Sequence, residues 1–286
     1  MITTKNGNAI ITISNDGSRL IEYEDSLKLE QPLNIDIRVS TSCSFAETLC
    51  KDFCYENAVK NGKDCDYEQL KKILSPLNSG IELAIGCNHF TNDLLDFLKW
   101  ASTKGFLCNL TINQGHIKRD IFNLLYAIEN ELVFGVGISY RKDLNWNIPL
   151  EILNHDNCVF HVIMGIDTID EVISLSDRGV KKILVLGEKN VGYNIGNVDL
   201  DSIIHKQWRW WVQKLFKLFT VVAFDNLSEQ QLKLERFFTK EEWSIFHQGE
   251  YSFYIDAVNE FFSPSSRDIK KTNWNTNIKE YFKSLN

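Results

Sequence analysis

Apolar residues recur along this chain in two alternating rhythms. Short runs rich in Val, Ile, Leu and Phe occur at 34–40, 81–86, 108–113, 133–140, 158–165, 182–187 and 221–226, with a weaker eighth at 253–258. Such near-continuous apolar runs suit strands covered on both faces of a parallel sheet. Between them, stretches 67–77, 92–104, 117–130, 168–178, 207–219 and 228–238 place apolar residues three and four apart, the period of a helix with one buried face. Gly80, Gly105 and Gly179 stand where a helix would stop before the next strand. The alternation predicts an α/β fold, a full or partial (β/α) TIM-type barrel, with an open doubly wound sheet as runner-up. Ahead of it, 9–24 alternates in strand fashion around Asn15-Asp16-Gly17, which predicts a β-hairpin. The expected division is a hairpin extension over 1–31, a barrel over 32–262 and a polar tail over 263–286.

The composition fits a globular chain: 286 residues, 44% hydrophobic and 24% charged. This excludes collagen-like and disordered readings. Net charge is −7, so nucleic-acid binding is not expected as a general role. The longest uncharged apolar stretches are about nine residues, against roughly 20 for a spanning helix. The first residues carry no apolar signal core, and a cytoplasmic protein with no membrane association is expected.

Seven cysteines are present, and four of them, Cys43, Cys50, Cys54 and Cys65, fall close together. Cys43, Cys50 and Cys54 form a C-x6-C-x3-C pattern directly after the first buried run. Thiolates are soft ligands suited to iron–sulfur clusters and zinc. Three thiolates on a four-iron cluster leave one iron open to an outside ligand.

A buried strand (IDIRVS), a cysteine loop ending Phe53-Cys54-Tyr55, a helix and a strand ending at Gly86 follow in that order. In this the chain resembles the radical S-adenosylmethionine (SAM) superfamily, in a subgroup found in bacteria and their phages. The resemblance covers roughly 34–258. It implies a [4Fe-4S] cluster on Cys43, Cys50 and Cys54, with SAM chelating the open iron. It further implies reductive cleavage of SAM to a 5′-deoxyadenosyl radical that removes hydrogen from a substrate. Tyr55 would lie beside the adenine, Gly86, Cys87 and Asn88 beside the methionine moiety, and Asn113 and Ser139 near the ribose or carboxylate. A reducing partner such as a flavodoxin or ferredoxin is implied, with a small-molecule, nucleotide or peptide substrate. Two features depart from the family pattern. The usual cysteine spacing is C-x3-C-x2-C, and the glycine-rich turn is here Gly86-Cys87-Asn88-His89. Cys87 is expected to add a side chain where SAM approaches.

Blander readings stand beside these. Cys108 and Cys158 read as core residues, and Cys65 as structural or as a fourth ligand that would close the site. His89, His116 and His161 read as satisfied polar residues, with a SAM contact or a fourth ligand near Cys87 as the alternative for His89. Asn113, Ser139 and Asn226 suit helix capping as well as ligand contact, and Asp225 reads as an N-cap ahead of a substrate ligand. The loop 187–196 lacks P-loop order. The basic, tryptophan-bearing stretch 202–224 is expected to be a helix with its aromatics packed and its cations solvated. The alternative function is a non-catalytic iron–sulfur or zinc-binding barrel.

Overall fold

The computed structural model describes residues 1–46, 48–243 and 251–285, without the side chains of 241 and 242. The N-terminal segment folds as an antiparallel three-stranded sheet of β1 (Ile2–Asn6), β2 (Ala9–Ile13) and β3 (Arg19–Glu22). The expected hairpin is β2–β3, with Gly17 at φ +86° in its turn. β1 is an additional strand paired along β2.

A ten-stranded sheet follows. Seven strands run parallel in chain order: β4 (Asn34–Arg38), β5 (Glu82–Cys87), β6 (Leu107–Asn113), β7 (Gly135–Ser139), β8 (Cys158–Ile163), β9 (Lys182–Leu186) and β10 (Val221–Phe224). These are the seven runs read from the sequence. The eighth, β11 (Ser252–Asp256), pairs parallel to β4 on its other side. β12 (Phe261–Ser263) and β13 (Thr272–Asn273) add antiparallel strands beyond it. β10 and β13 are the outer strands, so the described strands form a partial barrel.

The helices are α1 (Tyr67–Leu74), α2 (Asn92–Thr103), α3 (Ile117–Glu129), α4 (Leu150–Leu153), α5 (Ile169–Asp177), α6 (Ile203–Leu218), α7 (Asn226–Leu232), α8 (Lys240–Trp243) and α9 (Ile278–Lys283). Their packing follows from sequence. In α2, Leu94, Phe97, Leu98 and Ala101 share the buried face, and the Thr91 hydroxyl caps Leu94 N–H. α5 opens with a capping box between Thr168 and Glu171. Gly105 and Gly179 take the left-handed conformation directly after the caps of α2 and α5, as expected, while Gly80, also left-handed, lies in the turn before β5, beyond the end of α1. The single helix expected over 228–238 is instead α7 and a 3-10 turn, broken at Lys233 with φ +56°. α4, after Pro149, was not legible because four residues give no periodicity.

Alternate strand residues build two surfaces. Leu83, Ile85, Leu110, Ile112, Val136 and Phe160 face the helices and form the main core. The opposite face, toward the barrel interior, carries small and polar residues. The 263–286 segment is polar in composition, yet Trp274, Ile278, Tyr281 and Phe282 join the main core. Four apolar residues at helical spacing anchor it, so it is not a loose appendage.

Candidate functional site

The sheet register sets the site. Asn113 pairs with Ser139, and Ser139 with His161, so three inward-facing polar residues form a row at the strands' C-terminal ends. Above them lies the loop that follows β4. One cavity of about 160 Å³ separates loop and strand ends. It is lined by Cys43, Cys50 and Cys54 on the loop side and by Gly86, Asn113 and Ser139 on the strand side. Tyr55, Cys87 and Asn88 complete the wall, so all nine residues singled out from sequence meet at one place.

The loop is held by its own backbone and by the β6–α3 turn. Cys54 N–H donates to Cys50 C=O at 2.9 Å, and Cys43 N–H to Val59 C=O at 2.9 Å. The Phe45 ring stacks on His116 with centroids 4.5 Å apart and planes 7° apart. His116 Nε2 lies 3.1 Å from Ser44 Oγ. A Cβ on Gly115 would sit 2.5 Å from the Phe45 ring, so only glycine admits this docking. His116 is thus a buried residue that fastens the loop.

Burial pushes the Cys43 and Cys54 thiols up, and for Cys43 the neighbouring Cys50 and Cys54 add to the effect. Mutual repulsion of this kind is what a cationic metal would relieve. The donor set, three soft sulfurs on one cavity, fits an iron–sulfur cluster. Among the described residues, no three His, Cys, Asp or Glu side chains are drawn close enough to hold a metal ion. Cys65 lies in the main core rather than on the cavity, its thiol pushed up to about 12 by burial. That position is the one its structural reading calls for.

Cys54 is flanked by two aromatic rings, each carrying a cation. The Arg141 guanidinium lies 4.8 Å from the Phe53 ring centroid, and Lys189 Nζ lies 3.6 Å from that of Tyr55. Gly192, at φ +66°, presses on the same segment: a Cβ there would meet Tyr55 O at 2.5 Å and Cys54 O at 2.6 Å. Tyr193 N–H donates to Cys54 C=O at 3.0 Å. The glycine-punctuated loop after β9 is therefore a support for the cysteine loop.

The turn after β5 corrects one expectation. Gly86 faces the cavity, and a Cβ added there would meet nothing within 4 Å. Cys87 shares the opposite face with Leu83 and Ile85, and its thiol is buried in the main core. Its side chain therefore points away from the cavity, because strand residues alternate. The turn is pinned from α3. Arg119 donates to Asn88 C=O at 2.8 Å, Asp120 accepts from Phe90 N–H at 3.3 Å, and Asn123 donates to Phe90 C=O at 3.0 Å. The sequence signal for these three was only their place in the first turns of α3. His89 is half exposed, 4.0 Å from Asp120.

Asn113 satisfies both of its readings: Oδ1 accepts from Gly115 N–H at 3.0 Å, and Nδ2 lies 3.9 Å from Cys50 Sγ. Ser139 lines the cavity at the end of β7. Asp225 is the cap of α7, accepting from Ser228 N–H at 2.7 Å and Gly187 N–H at 2.9 Å. In α6 the expected packing of aromatics holds for Trp208 alone; Trp210 and Trp211 are exposed. No helix of the described residues is long and apolar enough to cross a membrane.

Two crystal structures of SuiB from Streptococcus suis are similar to this chain over 89% of its length, at 14% identity. The form bound to S-adenosylmethionine has a TM-score of 0.63, with 66% of SuiB covered. The form bound to precursor peptide SuiA has a TM-score of 0.59, with 65% covered. The chain thus spans just under two thirds of the length of SuiB. No family model and no curated relative matches it. The likeness supports the α/β partial-barrel fold expected from sequence and, at this identity, shows the fold alone.

Proposed function

We propose that this chain is a radical SAM enzyme in which Cys43, Cys50 and Cys54 hold a [4Fe-4S] cluster. The observation that carries the reading is the meeting of three loop thiols with Gly86, Asn113 and Ser139 on one cavity, in a fold similar to a SAM-bound protein. When bound, the cluster and SAM supply a 5′-deoxyadenosyl radical that abstracts hydrogen from substrate. The chain's own residues bind and orient. Gly86 leaves open space for the methionine moiety, flanked by the backbone of Cys87 and Asn88. Asn113 and Ser139 offer polar atoms at one level, and Tyr55 lies beside the adenine through its backbone. Arg141, buried on the cavity wall, offers a cation for a carboxylate. Phe53, Ile163 and Leu186 exclude water. The electron comes from a reducing partner such as a flavodoxin or ferredoxin. The substrate is a small molecule, nucleotide or peptide, and the precursor peptide on SuiB brings the peptide forward.

A second reading, an iron–sulfur or zinc protein without catalysis, draws on the altered turn, whose Asn88 carbonyl is already engaged by Arg119. Anaerobic purification separates the two. About four irons per chain with deoxyadenosine release under dithionite supports the enzyme. Metal without release supports the second reading, and absence of iron, sulfide and zinc overturns both.

A further inference from the structure

The opposite end of the barrel holds a second cavity of about 360 Å³, within the range of small-molecule pockets (about 300 Å³ upward). Barrel interiors are ordinarily filled by layers of branched side chains. Here four inward positions are small, Ala84 on β5, Gly135 and Gly137 on β7 and Ala223 on β10, and they leave room between the larger side chains. The turn of the β2–β3 hairpin, Asp16-Gly17-Ser18, forms the floor. It is tied there by Lys182 Nζ, which donates to Asp16 C=O at 2.6 Å.

We infer that this chamber is a second ligand site, for a small uncharged molecule carrying an N–H donor beside a C=O acceptor, as in a carboxamide or cyclic imide. The ligand chemistry follows from what the walls leave unmet. Glu82 accepts from Arg19 on one oxygen and from Asn109 Nδ2, at 2.8 Å, on the other. Asn109 Oδ1 is buried with no hydrogen-bond partner among the described residues, a costly state that an incoming N–H relieves. Lys182 has ammonium donors beyond the one given to Asp16, and these suit a carbonyl. Two cations, Arg19 and Lys182, stand against two carboxylates, Asp16 and Glu82, so the chamber favours a neutral guest. Val159 and Leu184 give flat apolar walls. At the roof, Thr111 and His161 line this chamber and the cysteine cavity alike. A Cβ on Gly137 would come within 2.7 Å of the His161 ring, so glycine there lets the imidazole lie across the strand. Burial keeps that imidazole neutral near pH 7, its pKa brought down to about 4.

The inference stands apart from the radical SAM reading, and its test needs neither cluster nor SAM. Uracil, a planar cyclic imide, is titrated into the full chain while the His161 imidazole resonances are followed. A saturable shift with a Kd of about millimolar or below is expected. 1,3-Dimethyluracil, which lacks both N–H groups, is expected to bind at least about tenfold more weakly. Ala84→Phe, which fills the chamber, is expected to abolish the shift. No movement of the His161 signals, or equal binding of the methylated analogue, overturns the inference and leaves a chamber of water. The analogue comparison decides the matter even where Ala84→Phe does not fold.

Discussion

Asn113 Nδ2 lies 3.9 Å from Cys50 Sγ, while Oδ1 of the same amide accepts from Gly115 N–H. One side chain therefore closes a turn and faces a thiol of the cysteine loop. Replacing it separates the two tasks. Asn113→Asp keeps the acceptor and loses the donor, so melting temperature should hold while iron per chain falls, because a carboxylate now faces the thiolates. Asn113→Ala should cost about 1 kcal/mol in addition. Calorimetry and iron analysis on the two variants check both halves.

The thiols divide by position. Cys43→Ala, Cys50→Ala and Cys54→Ala should each abolish cluster content and deoxyadenosine release. Cys65→Ala and Cys158→Ala should retain both, at a stability cost of about 1 kcal/mol. Iron per chain at equal soluble yield is the measurement, and loss of iron in Cys65→Ala would show a fourth ligand.

At the β5 turn, the residue that faces the cavity is Gly86. Gly86→Leu should weaken SAM binding at least about tenfold, with little change in stability, because the new side chain enters open cavity rather than packed core. Cys87→Gly should leave SAM affinity unchanged and cost about 1–2 kcal/mol through lost burial and a freer strand. SAM titration beside urea unfolding distinguishes them. Tighter SAM binding by Cys87→Gly would contradict the side-chain direction described above.

Gly192→Ala forces a Cβ onto the Cys54 and Tyr55 carbonyl oxygens at a positive φ. A loss of about 1–3 kcal/mol is expected, together with lower iron retention, since the segment that moves carries Cys54. Equal iron in the variant would mean that the loop tolerates the shift.

The pH dependence of stability has a definite sign. Burial lowers the His161 pKa from 6.5 to about 4. Between those values the unfolded chain binds the extra proton, so this group's contribution is present near pH 7 and is lost as pH falls. His116, also brought down to about 4 by burial, acts the same way. Asp167 opposes them: burial raises its pKa from 3.8 to about 6, so its native form takes the proton first. His161→Gln should remove about 1.4 kcal/mol per pH unit from the acid slope in that window. Urea midpoints from pH 4 to 7 for both proteins test it.

The sheet was readable because each strand is an apolar run bounded by helix stops, and register then follows from chain order. The nine cavity residues were readable because chemistry in such folds gathers at strand ends. The direction of Cys87 was not, because a one-residue shift in strand phase reverses it and the run IELAIGC is apolar throughout. The supports of the cysteine loop escaped notice for another reason. Gly115 and Gly192 act through space on residues 70 or more positions away, and a lone glycine gives no sign of what presses on it.

The first barrel strand waits longest for its neighbour. Arg38 on β4 meets Asp256 on β11 at 3.3 Å, across 218 residues of chain. During synthesis β4 can pair with β5 early, but its other edge stays bare until the ribosome has passed residue 256. The cysteine loop leaves from that strand. Its thiols therefore sit on a half-paired support for most of translation, open to oxidants and to stray metals. Delivery of iron and sulfide, on the reading proposed here, belongs after β11 has paired with β4 rather than before.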